Sequence, residues 1–201
     1  MSLLRTLRGR GDHQWLQTFS GGRYYPANPR PEEVHIADIA HHLSMLCRYT
    51  GACKNFYSVA EHSVLVSLVG PPYFAFERLL HDAPEFVLND LNRPTKHTLW
   101  LWGYRQLEKR NWRAIAEKFD LPLELHWTTH AADNAVLMAE RQVLMLPLPG
   151  KPWLPDEPAD VEIRCLPPPE AEKLFLDRFY ELIRNRAVTK RLAAGLRVSY
   201  A

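Results

Sequence analysis

Apolar residues recur along this chain at spacings of three and four, the pattern of helices that bury one face. Ile36, Ile39, Leu43 and Leu46 predict a helix that Gly51 stops. Ser58-Val-Ala-Glu61 has capping-box spacing, a Ser answered by a Glu three residues on. Val59 to Val69 then reads as a buried helix, ended by Gly70-Pro71-Pro72. Tyr73 to Asp82 predicts a third helix, with Phe76, Leu79, Leu80 and Ala83 on its apolar side. Pro84 suits the first turn of a new helix better than the interior of an old one. Residues 89–95 read as a loop.

Further on, Thr98 to Phe119 predicts a long helix with Tyr104, Leu107, Ile115 and Phe119 inward. Thr128 to Leu146 predicts another, with an inward stripe of Ala132, Val136, Ala139 and Val143. Pro169 to Leu192 predicts the last, with Leu174, Phe175, Phe179, Leu182 and Ile183 on one side. Half of the 16 prolines fall between Pro147 and Pro169, which predicts a surface linker. Before the first helix, Gly21-Gly22-Arg23-Tyr24-Tyr25-Pro26 and Pro29-Arg-Pro31 are turn signals, with room for a short aromatic ribbon. No strand-type alternation stands out elsewhere. The expected fold is all-α, a compact single-domain bundle. It divides into an irregular segment at 1–34, a core at 35–146, a proline-rich loop at 147–169, and a helix with its tail at 170–201.

Composition narrows the classes. Lys and Arg number 25 against 23 Asp and Glu, a net charge of +2 in 201 residues. That balance does not suit a dedicated nucleic-acid binder, which carries a strong basic excess. No apolar run approaches the length of a membrane span, and the opening residues are too short and too soon polar for a signal peptide. Three cysteines, Cys47, Cys53 and Cys165, form no CxxC motif and cannot all pair. A reducing, cytoplasmic compartment fits that usage.

Nine histidines direct attention to metal and acid–base chemistry. Three apolar segments each carry good ligands: His62, the adjacent pair His81-Asp82, and Asp133. A buried imidazole or carboxylate needs a partner, and one divalent cation would satisfy all four. The mixed nitrogen and oxygen set suits Mn, Co, Ni, Fe, Zn or Mg better than a thiolate site would. Asp120 competes with Asp133 as the last ligand. Taken singly, each residue has a plain structural reading as a satisfied core or surface group.

The joined blocks carry more than the single residues. Leu79-Leu-His-Asp-Ala-Pro-Glu85, followed by Asn89-Asp-Leu-Asn-Arg-Pro-Thr-Lys96, resembles the HD-domain metal-dependent phosphohydrolases. It is most similar to the small 5'-deoxynucleotidases and their phage and prophage relatives. Ala60-Glu-His-Ser63 matches the block around that family's first His. Asp38 to Gly51, Phe56 to Ser67 and the Gly21 to Pro26 opening match the phage-type subgroup, and the likeness spans roughly residues 18–145. Asn89 stands where the pattern usually has Gly.

The resemblance implies one divalent metal on His62, His81, Asp82 and Asp133, with a second left open. It implies Arg48 and Tyr49 as phosphate clamp and sugar contact. Glu85, three residues after Asp82, would orient water or transfer a proton. Asp90 would do similar work toward the leaving oxygen or sugar, and Arg93 and Lys96 are secondary phosphate contacts. Each has a structural alternative: Glu85 as a first-turn acid, Asp90 as a loop residue, Arg48 as a cation at a helix C-terminus. His42 is a minor candidate for substrate binding. Trp15, Tyr24, Tyr25, Trp100 and Trp102 could stack a base or simply fill the core. The basic tail (Arg184, Arg186, Lys190, Arg191, Arg197) reads as a solvated helix face.

The expected activity is release of phosphate from deoxynucleoside monophosphates. The alternatives are a deoxynucleoside triphosphohydrolase, using Arg23, Arg93 and Lys96 as extra cations, and a metal- and nucleotide-binding protein without turnover. Hydrolysis of guanosine tetraphosphate is more distant. The resemblance also implies a homo-oligomer, with no nucleic-acid polymer and no membrane as partner.

Overall fold

The computed structural model describes residues 14–96, 102–150 and 153–198, with side chains up to residue 187. Two short strands, β1 (Leu16–Gln17) and β2 (Arg23–Tyr24), form an antiparallel ribbon in the register Leu16↔Tyr24. Among the described residues eight α-helices follow: α1 (Ile36–Met45), α2 (Val59–Leu68), α3 (Ala75–Leu80), α4 (Glu85–Leu88), α5 (Arg93–Lys96), α6 (Trp102–Phe119), α7 (Trp127–Leu144) and α8 (Pro168–Val198). The fold is all-α, as the apolar spacing predicts. No helix among the described residues is long and apolar enough to cross a membrane.

Helix α2 organises the rest. It is buried on every side from Val59 to Ser67, its polar Glu61, His62, Ser63 and Ser67 included, so each polar group there needs a partner. Val59, Ala60 and Val64 join a large core with Ile39 and Leu43 of α1, Leu79 of α3, and Phe175 and Phe179 of α8. Leu65 and Val66 face a second core with Ala132, Val136 and Leu144 of α7. Ser58 caps α2 by accepting the Glu61 N–H at 3.1 Å.

The Glu61 carboxylate departs from the capping-box expectation. Instead of pairing with the cap, it accepts the N–H groups of Arg164 at 2.8 Å, Cys165 at 3.2 Å and Leu166 at 2.7 Å. Cys165 has φ 55, so successive N–H groups turn inward around the anion. The proline-rich stretch is therefore no free linker: Ala159, Val161, Ile163 and Cys165 pack on the second core. Its backbone also joins α7 through Ala159 N–H to the Ala135 carbonyl at 2.9 Å.

Other expectations shift by local chemistry. The segment at 73–82 enters through a 3₁₀ turn at Pro72–Phe74, and α3 ends at Leu80. The end of the expected loop, residues 93–95, closes one helical turn with Lys96. The start of the long helix expected at Thr98, with His97 and Trp100, lies outside the described residues. In α7 the inward stripe ends on Leu144 rather than Val143, which is 47 % exposed. In α8 Phe175, Phe179 and Leu182 are buried while Ile183 is at the surface. Arg186 donates to the Phe119 and Asp120 carbonyls, so it caps the end of α6 rather than standing free in solvent. Lys190, Arg191 and Arg197 lie outside the described side chains.

Candidate metal centre

The floor of the site is built from α2, the residues after α3, and α7. His62 is fully buried at the middle of α2. Its Nδ1 lies 2.6 Å from Oε1 of Glu140, a buried carboxylate on α7. His81 follows the last residue of α3, and its Nδ1 lies 2.7 Å from the Arg78 carbonyl, an acceptor left over at the helix end. Both imidazoles therefore donate through Nδ1, which leaves Nε2 as the lone-pair side. Both Nε2 atoms are buried with no hydrogen-bond partner among the described residues.

Those two nitrogens face two carboxylates. Asp82 Oδ2 lies 3.5 Å from His62 Nε2 and 3.2 Å from His81 Nε2. Asp133 Oδ1 lies 3.3 Å and 4.0 Å from the same two atoms. With metal–ligand bonds of about 2.1 Å, neighbouring ligand atoms sit about 3.0 Å apart in an octahedron and about 3.4 Å apart in a tetrahedron. His62, His81 and Asp82 form a group compact enough to hold a metal ion. Asp133, on α7, is not one of that group but brings Oδ1 within 3.3 Å of His62 Nε2. Asp120, the competing ligand, lies at the surface beside Arg186 at 3.6 Å and has no place here.

The charges report the same design. Burial and the Arg48 guanidinium push His62 toward neutrality, yet Glu140 and Asp133 outweigh them and lift its pKa to about 9. In effect a proton fills the space between carboxylates that a cation would fill. Burial works against ionisation of Glu140, but Arg48 and His62 overcome it and hold the acid near 2. Asp133 is likewise held near 2, against burial, chiefly by His62. Asp82 lies well below the carboxylate range, because His81, His62 and Lys96 outweigh its burial.

Glu140 is the residue that sequence reasoning missed. It also takes the Tyr57 hydroxyl at 2.8 Å, the Tyr49 hydroxyl in a short bond, and Arg48 at 3.2 Å. The carboxylate–histidine arrangement fixes the ring of a metal ligand. The available signal was its position seven residues after Asp133, two turns on along the same helix face.

Above the floor opens a cavity of about 1000 Å³. Arg48, Tyr49, Asp82, Glu85, Asp90, Arg93, Lys96 and Asp133 all line it. Arg48 also reaches Asp82 Oδ2 at 3.6 Å. Tyr49 and Thr50 sit in the left-handed region, φ 57 and 55, a strained turn that projects the Tyr49 ring. Glu85 pairs with Lys96 at 2.9 Å, while its Oε2 is buried and unpartnered among the described residues. Burial and the charges of Asp82 and Asp90 push its carboxyl well above the usual range. Burial favours neutral Lys96, but Glu85 and Asp82 reverse that and raise its pKa. Arg93 bridges Asp133 at 3.5 Å and Asn134 at 3.0 Å.

Other candidates fall elsewhere. His42 spends its ring on the Phe86 carbonyl and the Phe19 N–H. Arg23 stacks on Trp15, and Tyr24 is buried with its hydroxyl on Asn111. Trp15, Tyr24, Tyr25 and Trp102 are not among the cavity residues; Tyr49, Trp153 and Arg105 are.

No protein-family model matches the sequence. Uncharacterized protein YfdR of Escherichia coli (strain K12) is 37% identical over 176 residues, which cover 86% of this chain and 97% of that protein. Uncharacterized protein RCAP_rcc00048 of Rhodobacter capsulatus is 35% identical over 191 residues, covering 85% and 96%. Likeness of that extent, end to end in the relatives, places the chain in the family of YfdR and RCAP_rcc00048.

Proposed function

We propose that this chain is a metal-dependent nucleotide phosphohydrolase of the HD-domain type, a 5'-nucleotidase releasing phosphate from deoxynucleoside monophosphates. The supporting observation is the convergence of His62, His81, Asp82 and Asp133, with two buried, unpartnered Nε2 atoms, beneath one open cavity. A bound divalent cation supplies Lewis-acid polarisation of a phosphoryl oxygen and a water acidic enough to attack at neutral pH.

The chain's own residues do the rest. Arg48, fixed by Glu140, presents a cation beside Asp82 for the phosphate charge. Glu85 holds or moves a proton at the reacting oxygens through its unpartnered Oε2, and Lys96 fixes its other oxygen. Asp90 faces the same cavity toward the leaving oxygen or sugar. Arg93 positions Asp133 from the opposite wall.

A triphosphohydrolase is the second reading, favoured by the size of the cavity and by Arg93, Lys96 and Arg105 along it. A product-resolved assay of deoxynucleoside mono- and triphosphates with Mn, Co, Ni and Mg separates the two. Inorganic phosphate from monophosphates, abolished by Asp82→Ala, supports the first; inorganic triphosphate supports the second. Metal binding without turnover on any nucleotide refutes both.

A further inference from the structure

The cavity has a second character that phosphate chemistry does not use. A phosphoryl group is fully charged and gains nothing from an apolar wall, yet Tyr49, Leu137, Met145, Trp153 and Leu154 line part of the space. Trp153 comes from the proline-rich stretch. Its ring lies 5.7 Å from the Tyr49 ring, tilted by 49°, and the Arg141 guanidinium lies 5.5 Å from its centroid. The ring remains 42 % exposed, a large aromatic surface left open beside a polar floor.

The stretch that carries it is anchored a few residues later by the Ala159 bond to α7 and the three N–H bonds to Glu61. Both partners stand next to site residues: Glu61 precedes His62, and Ala135 is two residues after Asp133. The aromatic wall and the metal-ligating floor are thus built on the same two helices.

Resting on the nucleotide reading, we propose that Trp153 and Leu154 of the proline-rich segment form the base-binding wall. Trp153 takes the face of the nucleobase, with Leu154 and Met145 beside it, and so sets the preference for a nucleotide over a bare sugar phosphate. Aromatic stacking is sequence-tolerant because every base has a π-face. Trp153 alone therefore confers affinity for a base rather than a choice among bases.

The test is calorimetric binding of the four common deoxynucleoside 5'-monophosphates and of 2-deoxyribose 5-phosphate. It uses the metal-free full chain as wild type, Trp153→Ala and Trp153→Phe, so that no ligand turns over, and circular dichroism checks folding. The expected result is a Kd roughly tenfold or more higher for every nucleotide in Trp153→Ala, near-full retention in Trp153→Phe, and no change for the sugar phosphate. Equal nucleotide affinity in Trp153→Ala and wild type overturns the proposal. So does an equal loss for the sugar phosphate, or a wild type that binds nucleotides no tighter than it. Phosphate release is measured separately. Trp153-dependent binding without turnover would keep the wall and remove the hydrolase, whereas turnover indifferent to Trp153 would do the reverse.

Discussion

Glu140→Gln removes the charge at the centre of the site while keeping its shape. The carboxylate meets His62, Arg48, Tyr57 and Tyr49 at once, and it is fully buried. Glutamine retains one acceptor oxygen, but its amide N–H₂ must face a donor, either Arg48 or a tyrosine hydroxyl. Among the described residues Arg48, itself buried, would keep Asp82 at 3.6 Å as its one remaining ion pair. Breaking a buried pair by removing one partner costs about 3–5 kcal/mol. An independent route agrees: a carboxyl held near 2 rather than 4.5 favours the folded state by about 3 kcal/mol at neutral pH. Loss of the partner that orients His62 lowers metal affinity about 10–100-fold. Urea unfolding of the metal-free chain and calorimetric titration with Mn measure the two effects. A stability loss below about 1 kcal/mol together with an unchanged Mn affinity would refute the central role of Glu140. The sign with pH follows from the depressed value. The contribution is present above about 4.5 and is lost as pH falls toward about 2, so acid destabilisation across that window is shallower in Glu140→Gln.

Three further outcomes are expected. At pH 7 Mn uptake displaces the proton that His62 holds because Glu140 and Asp133 lift its pKa to about 9, so calorimetry in buffers of different ionisation heat shows a proton release near one; no buffer dependence contradicts the site. Glu85→Gln keeps Mn affinity within a few-fold and lowers turnover by about 10²–10⁴-fold, a split that full activity in the variant would overturn. Asn89 holds φ 65 and ψ 157, a conformation suited to Gly alone, so Asn89→Gly stabilises the fold by roughly 1 kcal/mol and raises the urea midpoint; a lower midpoint would show the asparagine is unstrained.

What the sequence made legible depends on how far each partner lies along the chain. Ile39, Leu43, Phe76, Leu79, Phe175 and Phe179 are buried as their spacing predicts, because a helix face is a local property. The four proposed ligands converge, and Asn89 takes a glycine-like backbone where the pattern it resembles has Gly. Glu61 misled for the opposite reason: its local spacing fits a cap, but its partners are 103 to 105 residues away. Trp153 was hidden in a stretch whose prolines forbid a helix yet leave extended backbone free to dock. Glu140 lies between the buried Val136 and Leu144, and its tertiary partners account for a buried carboxylate there.

Glu61 and His62 are neighbours on one turn of α2 that point to different tasks, one gripping the far segment and one completing the floor. A helix turns by about 100° per residue. Inserting or deleting a single residue between Ser58 and Glu61 would therefore rotate both side chains out of place together. Residues 146–150 are exposed, Leu148 to 74 %, so natural length variation should concentrate there and spare the start of α2.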